Sequence, residues 1–189
     1  MIWRCRGTTF DLAGRPLVMG ILNVTPDSFS DGGRYLDPAA AVARGHALFA
    51  EGADLLDLGG ESTRPGSPDV PADEQWRRLE PVLTTLRRER PEGVISVDTR
   101  SAAVARRALA AGAQVVNDVS ALSDPGMAGE VAAAGAGLVL MHMRGTPATM
   151  QQDTAYADVA AEVADFLRVR MGRAEAAGVA HETIALDPG

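Results

Sequence analysis

The sequence contains no lysine: all 18 basic residues are arginine, which reads as a compositional bias of the gene. Aromatic residues make up only 4% of the chain, so a core has to be assembled from small aliphatic side chains. The single cysteine, Cys5, has no partner for an internal disulfide. This fits a reducing cytosol and marks Cys5 as an inert strand residue rather than a nucleophile. No apolar run approaches the roughly 20 residues that span a bilayer, and the N-terminus lacks a basic-then-apolar signal pattern. The expectation is a soluble, cytoplasmic protein with no membrane partner. A formal charge of −7 and a pI near 4.9 argue against nucleic acid as a partner and leave any anionic substrate to be held by local groups.

What is present is an ordinary 46% hydrophobic content spread over 189 residues without a low-complexity linker or compositional break, so residues 1–189 read as a single domain. Residues 2 to 10 alternate around Gly7 and suggest a short N-terminal hairpin. From Leu17 a regular pattern sets in: an apolar run, a polar loop, an alanine-rich amphipathic stretch, then a glycine. Strands are expected near 17–23, 54–58, 93–98, 114–118, 137–142 and 183–187, and helices near 37–51, 72–90, 101–111, 126–134 and 155–177. Asp37-Pro38, Ser101 and Asp124-Pro125 mark helix starts, and Gly52, Gly112, Gly135 and Gly178 mark helix stops.

Alternating strands and helices, with strands apolar on both faces, mean an α/β fold with a parallel sheet covered by helices. The first βα turn has no glycine-rich dinucleotide fingerprint, which disfavours an open doubly wound sheet. A polar residue stands at the C-terminal end of strand after strand: Asn23, Asp57, Asp98, Asn117, His142 and Asp187. In a TIM (β/α)8 barrel these converge on one mouth. Six strands do not close such a barrel, which usually takes about 250 residues. The expectation is therefore an incomplete barrel of about six parallel strands, truncated at the C-terminus or completed by another chain.

Residues 21 to 33 run from an apolar strand into a loop in which Thr25, Asp27, Ser28, Ser30 and Asp31 surround one aromatic, Phe29, before two glycines. That density of hydrogen-bonding groups suits a loop that closes over a ligand. This stretch resembles the first signature of the dihydropteroate synthase family, and Leu58-Gly-Gly-Glu-Ser-Thr-Arg-Pro-Gly66 resembles the second. Ser96-Val-Asp-Thr99, Asn117-Asp-Val-Ser120, Leu140-Met-His-Met143 and Leu186-Asp-Pro-Gly189 follow in the family's order.

The resemblance implies an enzyme of folate biosynthesis, a transferase that condenses a dihydropterin methyl diphosphate with para-aminobenzoate to give dihydropteroate and pyrophosphate. It also implies Mg²⁺ as cofactor, touched by Asn23, and a homodimer at full length. Asp98, Asn117 and Asp187 would hold the 2-amino-4-oxo-pyrimidine edge of the pterin, since carboxylates accept adjacent N–H donors and an amide supplies one donor and one acceptor. The competing role for Asp98 and Asp187 is a strand-end carboxylate capping the next helix. Met141 would form a wall against the flat ring. Asp31 would stabilise a pterin-methyl cation, and Arg64 would pair with an acidic partner to pin the closed loops; these are the candidate catalytic residues. Phe29 and Pro65 would sandwich the benzoate ring with Thr63 beside it, in the pocket where sulfonamides compete in the family. Asp57 and Glu61 read as scaffolding behind the substrate contacts, and His142 reads as structural.

The family's members continue into strands bearing Lys, Ser, Arg and His that this chain does not contain, including the pterin-contacting lysine. The 189-residue chain alone is accordingly expected to be inactive as a synthase. Two other readings stay open: a pterin-binding paralogue or fragment without synthase activity, and the methyltetrahydrofolate-binding barrel of a corrinoid methyltransferase. The latter has little use for the aminobenzoate loops.

Overall fold

Two sets of strands organise the chain in a computed structural model that describes residues 1–25, 37–61, 69–146, 149–150, 152 and 154–189. The first set is a hairpin, β1 (Ile2–Cys5) and β2 (Thr8–Asp11), paired antiparallel through a turn in which Gly7 takes φ +84°. The second is a six-stranded parallel sheet: β3 (Met19–Asn23), β4 (Leu55–Gly59), β5 (Val94–Asp98), β6 (Val115–Asp118), β7 (Gly137–Met141) and β8 (Ile184–Asp187). Its spatial order is the sequence order, β3-β4-β5-β6-β7-β8, as in a barrel wall. Helices α1 (Pro38–Ala50), α2 (Ala72–Glu89), α3 (Ala102–Ala110), α4 (Met127–Ala134) and α5 (Val159–Ala176) connect successive strands.

The sheet is covered along its helix side and, on its concave side, at the N-terminal end. On the helix side, Leu22, Leu56, Leu58, Ile95 and Val97 pack with Leu79, Leu83 and Leu86 of α2. Val116, Leu138 and Leu140 pack with Met127 and Val131 of α4 and Ala174 of α5. On the concave side the hairpin plugs the N-terminal end: Trp3 and Cys5 pack against Leu55, Val94, Val115 and Val139. The Trp3 indole N–H donates to the Thr183 carbonyl at 2.9 Å and its ring stacks on Phe10, which ties the hairpin to the approach to β8. Gly137 is required by this plug, because a Cβ there would lie 2.9 Å from Cys5 Sγ. Among the described residues β3 and β8 are edges, paired on one side only, and their Ile21 and Leu186 are 68% and 44% exposed.

Most helix ends follow local signals. Asp37 accepts the Ala39 N–H at 2.9 Å with Pro38 at the first helical position, and Gly52, Gly112, Gly135 and Gly178 all take positive φ. One start differs from expectation, and another is capped by a residue other than its marker. Ser101 occupies the N-cap position of α3 but its hydroxyl makes no capping bond. The first N–H of that helix, on Ala102, donates instead to Asp124 at 2.8 Å, while the other Asp124 oxygen accepts the Gly126 N–H ahead of α4. The last long helix begins at Val159 rather than near 155, because Asp158 caps it through Ala161 N–H and Glu162 reaches back to the N–H groups of Ala157 and Asp158.

Candidate active site

Parallel pairing carries a row of side chains across the sheet at one height. Asn23 pairs with Gly59, Gly59 with Asp98, and Asp98 with Asn117, so these residues emerge side by side at the C-terminal end of β3 to β6. Met141 and Asp187 pair with each other at the ends of β7 and β8. They stand two residues beyond Val139 and Ala185, which continue the first row, and so share its face one level higher. The expected convergence of Asn23, Asp98, Asn117, Met141 and Asp187 on one basin is thus set by register. Gly59 keeps the middle of the row open: a Cβ there would stand 3.1 Å from Asn23 Oδ1 and 3.8 Å from Asp98 Oδ2.

Asp57 lies two residues before Gly59, on the same face and one level below the row. Its carboxylate is buried and takes two hydrogen bonds, from Ser96 Oγ at 2.6 Å and from Asn117 Nδ2 at 2.9 Å. Burial pushes this carboxyl upward while the two donors oppose the rise. Asp98 stands in a harsher setting. One of its oxygens is buried without a hydrogen-bond partner. Burial, then the carboxylates of Asp57, Glu61 and Asp118, push its carboxyl up to about 8, against the pull of Arg100. At neutral pH Asp98 therefore keeps its proton and offers one O–H donor and one acceptor.

Asp187 uses one oxygen locally, accepting the Gly189 N–H at 2.9 Å. His142, which follows Met141, lies on the opposite face of β7, where its ring meets Phe166 edge-on at 5.0 Å and Tyr156 at 6.0 Å. It does not join the ring of mouth residues, in keeping with a structural role. Beside the basin, two cavities of about 620 and 530 Å³ open between the loop after β7 and α5, both lined by His142, Met143, Arg144 and Tyr156. Met141 lines the second of these.

Glu61 anchors the rim. It accepts the Val70 N–H at 2.8 Å and pairs with Arg100 at 3.1 Å, whose guanidinium also reaches Asp69 at 2.9 Å. Gln75 of α2 bonds both Val70 O and Thr99 Oγ1, which joins this rim to the end of β5. Phe29, Asp31, Thr63, Arg64 and Pro65 lie outside the described residues. Two contributors were not singled out from sequence as site residues, Gly59 and Ser96. The available signal was the spacing: a serine and a glycine inside fully buried strands, each on the basin face two residues from, or in register with, an aspartate. Among the described residues no group of three or more His, Cys, Asp or Glu side chains is arranged to hold a metal ion.

Comparison with known proteins bears on this geometry. A family model described as pterin binding enzyme matches residues 19–189. The chain is 45% identical over 184 residues to the dihydropteroate synthase of Escherichia coli (strain K12), an alignment that covers 97% of this chain and 64% of that protein. The chain thus spans about two thirds of the length of that relative. In three dimensions it is similar to Xanthomonas albilineans dihydropteroate synthase with 4-aminobenzoic acid, at 48% identity and TM-score 0.89, covering 100% of this chain and 66% of that one. It is also similar to Burkholderia cenocepacia dihydropteroate synthase complexed with 7,8-dihydropteroate, at 44% identity and TM-score 0.87, covering 100% and 63%.

Proposed function

Because the chain belongs to the family of pterin binding enzymes, we propose that its basin holds the pterin substrate of a dihydropteroate synthase. The reaction joins a dihydropterin methyl diphosphate to para-aminobenzoate: the C–O bond to the diphosphate breaks, a C–N bond forms to the arylamine, and pyrophosphate and a proton leave. The observation that carries this reading is the row Asn23, Asp98 and Asn117, with a buried Asp98 oxygen that has no partner among the described residues. An orphaned buried polar atom costs on the order of 1–3 kcal/mol unless a ligand satisfies it. A protonated Asp98 pairs with a ring nitrogen beside an exocyclic amine, which is the combination a 2-aminopyrimidine edge presents. Relatives named dihydropteroate synthase, and solved relatives described with 4-aminobenzoic acid and with 7,8-dihydropteroate, support the same reading.

The electron-rich pterin lets the leaving group depart early, so the residues that matter most bind and orient rather than abstract protons; an arylamine is already unprotonated at neutral pH. Asp98 and Asn117 hold the pyrimidine edge, Met141 flanks the ring, and Asp187 contributes its free oxygen. Asp31 and Arg64, from the two signature loops, are assigned to the methylene cation and to loop closure. The donor set also suits Mg²⁺. Asn23 would hold the ion through its hard amide oxygen, beside space that a side chain at position 59 would fill. When bound, such an ion supplies charge neutralisation to the departing pyrophosphate. We assign the working protein to the cytoplasm, as a homodimer.

The test is a titration of the chain with pterin and with the dihydropterin methyl diphosphate, alongside turnover with para-aminobenzoate. Saturable binding of the pterin supports the assignment, and loss of that binding in Asp98→Ala localises it. A chain that binds no pterin at any pH between 5 and 9 overturns it. Binding without product supports the narrower reading of a pterin-binding module.

A further inference from the structure

The acid-amide row is recognised by what it presents to a ligand, and one of its members has two possible faces. An asparagine amide turned through half a circle exchanges a donor for an acceptor at almost no steric cost. The environment of Asn117 removes that ambiguity. Its Nδ2 donates to Asp57 Oδ2 at 2.9 Å, and the other oxygen of the same carboxylate is taken by Ser96 Oγ at 2.6 Å. Both Asp57 oxygens accept in this arrangement, which places the amide nitrogen of Asn117, not its oxygen, inward. The carbonyl oxygen of Asn117 takes no hydrogen bond from any described residue and is left toward the basin.

We infer that Asp57, through the Ser96–Asp57–Asn117 chain of hydrogen bonds, is the positioning residue that makes Asn117 an acceptor in the basin and so selects a ligand edge bearing an N–H donor at that point. The inference rests on the pterin-binding reading above and deepens it. Ser96 locks Asp57, since its hydroxyl fixes one carboxylate oxygen and leaves the other aimed across at β6. The three residues come from β4, β5 and β6, 39 and 60 positions apart in sequence, and meet because Asp57 pairs with Ser96 while Asn117 rises one level above on the next strand. Asp57 need not touch the ligand; it decides which end of an amide does.

Two measurements test this. Asn23 and Asn117 are the only asparagines in the chain, so selective ¹⁵N labelling yields two side-chain amide signals. One proton of the Asn117 amide should exchange with solvent about tenfold more slowly than those of Asn23, a difference expected for a buried hydrogen bond. Equal exchange overturns the inference. The second compares affinity for pterin with affinity for lumazine, in which the 2-amino donor is replaced by a carbonyl. In Asp57→Leu, which removes the partner of the amide, the pterin-to-lumazine preference should fall about tenfold while lumazine binding changes by less than about threefold. A loss of both affinities in step is what a merely structural role produces, and it refutes the inference. An unsubstituted chain that binds no pterin refutes the functional reading itself; one that binds pterin but shows an unprotected Asn117 refutes only the role of Asp57. The exchange measurement stands without any substitution, so a failure of Asp57→Leu to fold leaves the decision to it.

Discussion

Asp98→Asn is expected to make this protein more stable at alkaline pH while weakening its site. The Asp98 carboxyl sits at about 8 in the folded chain against an ordinary 3.8, because burial and the carboxylates of Asp57, Glu61 and Asp118 outweigh the pull of Arg100. Between those two values the unfolded chain has lost this proton and the folded chain has kept it. Stability therefore falls as pH rises through that window, by at most about 1.4 kcal/mol per pH unit. Over the whole window the ceiling is on the order of 5 kcal/mol. Water entering from the unpaired side of the sheet screens the ionised form, which brings the observable decline to about 2–3 kcal/mol, or roughly 5–10 °C in melting temperature for a domain of this size. Asp57, also pushed upward by burial, adds a decline of the same sign. Asparagine fills nearly the same volume and carries no charge at any pH. Melting curves from pH 5 to 9 should show the unsubstituted protein losing stability and Asp98→Asn losing much less, with the variant ahead at pH 9 and pterin affinity reduced about tenfold or more. Parallel decline in both proteins, or a flat profile in the unsubstituted one, would refute the argument that Asp98 is held as a neutral acid.

Other outcomes follow from single contacts. Gly137→Ala should cost about 1–3 kcal/mol in urea denaturation, because its Cβ meets Cys5 Sγ at 2.9 Å. Adding Cys5→Ala should recover part of that loss, giving a non-additive double-mutant cycle. Asp124→Ala should destabilise by about 1 kcal/mol and Ser101→Ala by almost nothing, since the Ala102 N–H is capped by the former and not by the latter. Cys5, buried and with its thiol pushed up to about 12, should resist thiol-reactive dyes at pH 8 until denaturant unfolds the hairpin. Rapid labelling of the native protein would contradict the packing of β1 against the concave face.

The architecture was largely legible because its signals are local. Each apolar run became a strand of the parallel sheet, and Asp37-Pro38 and the four stop glycines act within a turn of their own helices. Ser101 marks the start of α3 without capping it, and α5 starts after Asp158 rather than near 155. The cap of α3 comes from a residue 22 positions later, whereas the α5 cap lay inside what read as a continuous helical pattern. The site divides the same way. Asn23, Asp98, Asn117 and Asp187 could be named from strand ends, because a residue's place along a strand is a property of sequence.

What the residue order determined by itself was thus an alternation of strands and helices and the chemical types waiting at the strand ends. The tertiary register decided the rest: that His142 turns away against Phe166, that Asp57 lies one level below the row, and that its carboxylate dictates the face of Asn117. It also decided the charge of Asp98, since Asp57, Glu61 and Asp118 reach it only across neighbouring strands. Proton affinity and amide orientation depend on what stands within a few ångströms, and in a parallel sheet those neighbours come from dozens of residues away.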